Sequence, residues 1–181
     1  MIDTQTLEAF AASARSQLMA EVEARLTAVI SPASTAREEF PSAIKALEKR
    51  IRHHGGDAAG RRRVVEEQAY VWFNRIVALR FMDANGYMSP ALVSPDGGAT
   101  VGQPEVLAAA KRGEFDQQVF SSAERITGLL NGTITSPAPQ EEAYGLLLRA
   151  YCDAWNQTMP FMFAPDGDYT TLLMPADMLA D

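Results

Sequence analysis

The sequence is poor in the residues that build reactive sites. It has one cysteine, Cys152, and two histidines, His53 and His54. A single cysteine excludes an internal disulfide framework and any cysteine-based metal cluster. Adjacent histidines on a helix point in different directions and no third ligand stands near them, so no metal site is expected. With so few histidines, no Ser, His and Asp set stands out, and no pair of carboxylates sits where acid–base catalysis would demand it. Neither GxxxxGK[ST] nor GxGxxG occurs, which removes the common glycine cradles for phosphates and dinucleotides. No run of about 18 apolar residues exists, so nothing is expected to span a membrane. The opening MIDTQTLEAF lacks the basic start and apolar stretch of a secretory signal. Basic residues are outnumbered, 16 against 23 acids, for a net charge of −7. A free-standing DNA-binding domain of this size is usually basic, so whole-surface tracking of a phosphate backbone is not expected, while a local basic patch stays open. These absences together fit a cytoplasmic protein.

What is present is a helical core. Hydrophobic residues make up 47% of the chain, enough for one domain over residues 1–181. The expected fold class is all-α: a helical bundle around a long central helix at about 61–85, with loop-rich connections. That helix lies in RRRVVEEQAYVWFNRIVALRFMDANGYM, Arg61 to Met88. Val65, Ala69, Trp72, Phe73, Ile76 and Leu79 form one stripe at helical spacing. Tyr70, Val77 and Phe81 form a second flank, and Val71, Ala78 and Met82 a third. A helix apolar on all sides is expected in the middle of a bundle. Gly86 is placed to stop it, because the residue after a helix end commonly takes a positive φ, and Tyr87 and Met88 then fold back on the last turn.

Polar residues within this helix need partners, since buried charge is rarely left unpaired. Asn74, Arg75, Arg80 and Asp83 are read as a buried polar network that fixes packing, with an anion contact as the alternative. Arg80 reaches Asp83 at i,i+3. Arg75 has no acid at helical spacing and must find a partner elsewhere. A second cluster, Lys45, Lys49, Arg50, Arg52, Arg61, Arg62 and Arg63, holds seven of the 16 basic residues. Three arginines at a helix N-terminus oppose the helix dipole. Either an anion such as a DNA phosphate compensates, or Glu66 and Glu67 one turn later do so, or acids from another domain.

The remaining chain reads as further helices. The first spans about Thr4 to Ile30, capped by Thr4 or Thr6, with Leu7, Phe10, Ala14, Leu18, Val22, Leu26 and Val29 inward and Arg15, Glu21, Glu23 and Arg25 on a solvated face. The second spans Pro41 to His53, and a mobile loop follows to Gly60. Residues 89–102 form a connecting loop with a turn at Asp96, Gly97 and Gly98. A short helix follows from Pro104 to Arg112, then one from Asp116 to Leu130. The last runs from Gln140 to Gln157, with Ala143, Leu146, Leu147, Ala150, Tyr151, Ala154 and Trp155 inward. Cys152 is read as a small core residue. Phe161, Met162 and Phe163 form an apolar plug. Asp166 and Asp168 belong to a turn rather than a calcium loop. The apolar end at Met178, Leu179 and Ala180 points to a piece of a larger polypeptide.

The stretch AYVWFNRIVALRFMDANGYM resembles the N-terminal region of PglX-type adenine-specific DNA methyltransferases of BREX phage-defence systems. LEAFAASARSQLMAEVEARL, IKALEKRI, GQPEVLAAAKRGEFD, LLNGTITSPAPQEEAYGLLLRAYCDAWNQTMPFMF and DYTTLLMPADML follow in the family's order, so the resemblance covers nearly the whole chain. Val71 stands where the family's pattern has threonine, which removes a hydroxyl. Members are several-fold longer, with the S-adenosylmethionine domain and target-recognition region downstream. The resemblance implies a non-catalytic, N-terminal helical domain that braces the catalytic part, its partners being the rest of the methyltransferase chain and DNA. The alternative is a module that docks other defence-system subunits. An amino-methyltransferase needs a glycine-rich turn for S-adenosylmethionine and an Asn/Asp-Pro-Pro-aromatic tetrapeptide. No Pro-Pro pair occurs in the sequence, so this chain alone is expected to bind no such cofactor and to methylate nothing.

Overall fold

The computed structural model describes residues 4–95, 97, 102–163 and 169–175, with side chains from residue 11 onward. The side chains of Thr4, Thr6, Leu7 and Phe10 lie outside what is described, as do the Asp96–Gly98 turn apart from Gly97, Asp166, Asp168 and the apolar end at residues 178–180. The fold is all-α. Among the described residues the only β feature is an isolated antiparallel bridge between Pro95 and Pro104. The chain divides into two compact units, Met1–Asn74 with Asp166–Pro175 and Arg75–Pro165 with Ala176–Asp181.

The first unit contains α1 (Thr4–Ile30), α2 (Ala36–Glu39), α3 (Pro41–His53) and the first part of α4 (Asp57–Ala84). Pro41 begins α3, where a missing N–H removes no helical bond. Val22, Leu26 and Val29 of α1 bury against Ala43, Ile44, Leu47 and Ile51 of α3 and Val64, Val65 and Ala69 of α4. Ala14 and Leu18, expected inward, are only half-buried. The tail returns to this core through Tyr169, Leu172 and Leu173. Arg25, expected to be merely solvated, donates from Nε to the Leu172 carbonyl at 2.9 Å. Trp72 donates from Nε1 to the Thr170 carbonyl at 3.1 Å while 2% exposed. A buried indole N–H left unbonded would be costly, so this bond fixes where the tail sits.

α4 starts a turn earlier than its periodicity implied, at Asp57 rather than Arg61. The expected mobile loop to Gly60 is therefore helix. The reason lies at Gly60, whose amide donates to the Gly56 carbonyl at 2.8 Å. A Cβ there would stand 2.2 Å from the Ile51 carbonyl oxygen, so glycine alone permits this approach of α4 to the end of α3.

The second unit contains the rest of α4, then α5 (Glu105–Lys111), a 3-10 turn at Gln117–Ser122, α6 (Ala123–Leu130), α7 (Pro139–Asn156) and α8 (Pro160–Phe163). Gly86 takes φ 65° and ends α4. The Tyr87 amide then bonds back to the Met82 carbonyl at 2.9 Å, and the Tyr87 ring packs edge-on against Phe81 at 6.2 Å. The single helix expected over Asp116–Leu130 is two elements. A 3-10 turn has three residues per turn, so the helical period fails and Phe120 turns outward, 64% exposed, while Val119 is buried. On α7, Tyr144, Leu148 and Cys152 are buried, whereas Leu146, Ala150, Ala154 and Trp155 are half-buried. The expected plug is only Phe163: Phe161 is 83% exposed.

Candidate functional site

The seven basic residues of the first unit separate into two sets. Arg50 donates from Nε and Nη2 to Glu67 Oε2, at 3.1 and 3.0 Å. The other oxygen of Glu67 lies 3.1 Å from His54 Nε2 and 3.9 Å from Arg63 Nε. Arg63 also pairs with Glu66 at 3.3 Å. Arg61 donates to Thr27 Oγ1 at 2.8 Å and lies 3.7 Å from Glu23. The arginines start one turn inside α4, and Asp57 occupies its first turn. The dipole conflict expected at Arg61–Arg63 is thus absent, because the macrodipole acts within the first turn. Glu66 and Glu67 answer part of the cluster.

Lys45, Lys49, Arg52 and Arg62 form the other set. All four are exposed and have no ion-pair partner among the described residues. Lys45, Lys49 and Arg52 follow one another at i, i+4 and i+7 on α3, so helical geometry puts them in a row on one face. The first 74 residues add no net repulsion of an anion: they hold ten basic and ten acidic residues, and residues 75–181 hold six and thirteen. The whole negative excess of the chain therefore lies beyond residue 74.

The polar residues of the second half of α4 are built differently from the expected network. Asp83 does not pair with Arg80. Its Oδ1 accepts from the Leu92 amide at 2.9 Å, and its Oδ2 from the amides of Val93 and Ser94 at 2.9 and 2.8 Å. Arg80 is exposed rather than buried and donates to the Val93 carbonyl at 3.1 Å and Ser94 Oγ at 3.2 Å. Both side chains pin one loop, a long-range role that i,i+3 spacing does not reveal. Arg75 is buried at 5% exposure and Asn74 half-buried.

On the same loop, Glu105 accepts from the Ala91 amide at 2.9 Å. Tyr144, fully buried, donates to the Leu92 carbonyl at 2.9 Å. Burial raises its phenol well above the ordinary range. Tyr151 donates to Asp116 and is raised likewise, first by burial and then by that bond. Burial pushes the Cys152 thiol up to about 11, partly offset by the nearby Arg75 charge. A neutral thiol is a poor nucleophile, so Cys152 acts as a packing residue.

Among the described residues, no group of three metal-ligating side chains converges, and no helix is long and apolar enough to cross a membrane. No family model matches the chain. Two curated proteins do. The adenine-specific methyltransferase PglX of Lacticaseibacillus casei (strain Zhang) is 30% identical over 112 residues, 61% of this chain and 9% of that protein. The adenine-specific methyltransferase BrxX of Escherichia coli O9:H4 (strain HS) is 31% identical over 139 residues, 73% of this chain and 10% of that protein. The chain spans about a tenth of the length of these relatives. Shared identity across most of this chain with two proteins of one named activity makes it a relative of the PglX/BrxX adenine-specific methyltransferases.

Proposed function

We propose that this chain is a non-catalytic, N-terminal helical part of an adenine-N6 DNA methyltransferase of BREX phage defence, bracing the catalytic part and touching the DNA backbone. The observation that carries the DNA contact is the exposed set Lys45, Lys49, Arg52 and Arg62, left over after Arg50, Arg61 and Arg63 find acids. Four exposed cations near a net-neutral stretch suit phosphates, which such proteins use for positioning rather than for reading sequence. The reading rests on the sequence, which has neither a GxGxxG turn nor a Pro-Pro pair, where an amino-methyltransferase needs a glycine-rich turn for S-adenosylmethionine. The reading therefore leaves the cofactor, and the methyl transfer that marks host DNA, to another part of a longer protein.

The test is duplex-DNA binding by fluorescence anisotropy across a salt series. The expected log–log slope is about −3 to −4 if all four cations meet phosphates. Lys45, Lys49, Arg52 and Arg62 changed together to alanine should flatten it, and Arg61→Ala should change it little. Failure of the parent chain to bind near physiological salt overturns the DNA contact.

A second reading, docking of other defence-system subunits, has its own observation. Val77, Phe81 and Tyr87 are 51%, 61% and 62% exposed. Aromatic and aliphatic side chains in the open favour a protein-facing surface. Association with a defence subunit that is lost in Phe81→Ser, together with indifference to DNA, would support it.

A further inference from the structure

The first unit contains a second feature, separate from the basic row. A cleft of about 450 Å³ is lined by Arg50, Glu67, Gln68, Tyr70, Val71 and Tyr169. Gln68 is 2% exposed, yet its Oε1 has no hydrogen-bond partner among the described residues. A buried amide oxygen left unbonded is destabilising, and in native proteins such an atom calls for an explanation. Tyr70 is the opposite case. It is 70% exposed on a helix otherwise rich in buried apolar residues, so its ring is open to contact.

The charges around the cleft narrow the ligand. Glu67 already holds Arg50 through two hydrogen bonds and faces His54 and Arg63. The guanidinium and the carboxylate cancel, so neither an anion nor a cation gains a free counter-charge here. Val71 adds an apolar wall. What remains is a neutral, flat ligand with an edge that carries adjacent donor and acceptor groups. A primary amide such as Gln68 matches that edge, and an exposed tyrosine ring supplies a stacking face.

We propose that the Gln68–Tyr70 cleft is a binding site for an unstacked nucleobase. Its edge pairs with the Gln68 amide and its face lies on Tyr70. The base has two possible sources, a free nucleoside or an unpaired position in a nucleic-acid strand. Only the second rests on the DNA reading above.

Two probes distinguish them with the full 181-residue chain. One is 2-aminopurine riboside, and the other a short single-stranded thymidine oligonucleotide carrying one 2-aminopurine. The readout is the anisotropy of the 2-aminopurine. Gln68→Leu should weaken binding by about tenfold, since it removes the buried amide while keeping an apolar volume. Tyr70→Ala, at an exposed position that leaves the fold intact, should weaken it by a similar factor. Changing Lys45, Lys49 and Arg52 to alanine should weaken the oligonucleotide alone. Binding of the riboside with sensitivity to both cleft variants supports a free nucleoside. Binding of the oligonucleotide alone with the same sensitivity supports a base within a strand. No rise with either probe, or affinities unchanged in both cleft variants, overturns the site. A chain that binds duplex DNA with a salt slope but fails this test loses only the cleft. A chain that binds the riboside but not duplex DNA loses only the backbone contact.

Discussion

The two units use carboxylates in contrasting ways. In the first, acids meet cations: Glu48 holds Arg37 at 2.9 Å, Glu67 holds Arg50, and Glu66 holds Arg63. In the second, acids meet cations too, as Glu142 meets Arg125 at 2.6 Å and Glu114 meets Arg112 at 2.8 Å, but two others hold backbone. Asp83 takes three consecutive amides of the 92–94 loop, and Glu105 takes that of Ala91. Ion pairs on a surface contribute little each and weaken with salt. Charge-assisted bonds to loop amides are local, partly buried and stronger. Both units thus carry salt-sensitive surface pairs, and the second adds a loop, residues 91–94, held by fixed polar anchors.

The sharpest way to break this contrast is at the core of the first unit. Trp72→Ala should cost about 3–5 kcal/mol, because it empties a large buried site and leaves the Thr170 carbonyl without its donor. Urea unfolding followed by circular dichroism checks it, and Trp155 fluorescence then reports the second unit. If the two signals shift together, the units unfold as one.

Next comes the loop anchor. Asp83→Ala should cost about 2 kcal/mol and accelerate hydrogen exchange at the amides of Leu92, Val93 and Ser94. Asp83→Asn should recover part, as its single carbonyl still accepts.

Alkaline pH should then weaken the second unit selectively. The folded Cys152 thiol titrates at about 11 against an ordinary 9.0. The folded state holds its proton more tightly than the unfolded state does. That contribution is complete below pH 9 and is lost as pH rises toward 11. Tyr144 acts in the same direction. Cys152→Ala should reduce the slope of stability against pH in this window, measured by urea midpoints. An unchanged slope would assign the alkaline loss to Tyr144 and Tyr151.

The smaller effects belong to the surface of the first unit. Glu67→Gln should cost about 1 kcal/mol, since Arg50 and Glu67 are only partly buried. It should also steepen the salt dependence of DNA binding by freeing positive charge. Arg149→Ala, which breaks an exposed i,i+4 contact with Asp153 in the second unit, should change stability by no more than about 0.5 kcal/mol.

Much of the helical layout was legible because it rests on local rules. The start of α3 at Pro41, the stop of α4 at Gly86 and the body of α7 follow from proline, glycine and apolar spacing. The failures occur where distant residues decide. Tyr70, Val77 and Phe81 have the spacing of a buried flank but are exposed, since periodicity shows which residues share a face and not what covers it. Phe120 was misplaced because a 3-10 turn changes the period. For the candidate site, the cluster of cations was visible. Which of them Glu23, Glu66 and Glu67 take was less so, since Arg50 to Glu67 and Arg61 to Glu23 cross between helices. The Gln68 cleft had no sequence signal beyond a glutamine amid apolar residues.

Gly60 shows how an interior steric allowance reaches the surface. Its missing methyl lets α4 begin before the arginines, which sets the angular register of every side chain that follows. Add that methyl, as in Gly60→Ala, and the clash with the Ile51 carbonyl must be relieved by shifting one helix against the other. Arg61 would then lose its reach to Thr27, and Arg50 its reach to Glu67. A hydrogen atom in the packed interior thereby acts as the gauge block that sets which cations are spoken for outside and which remain on offer.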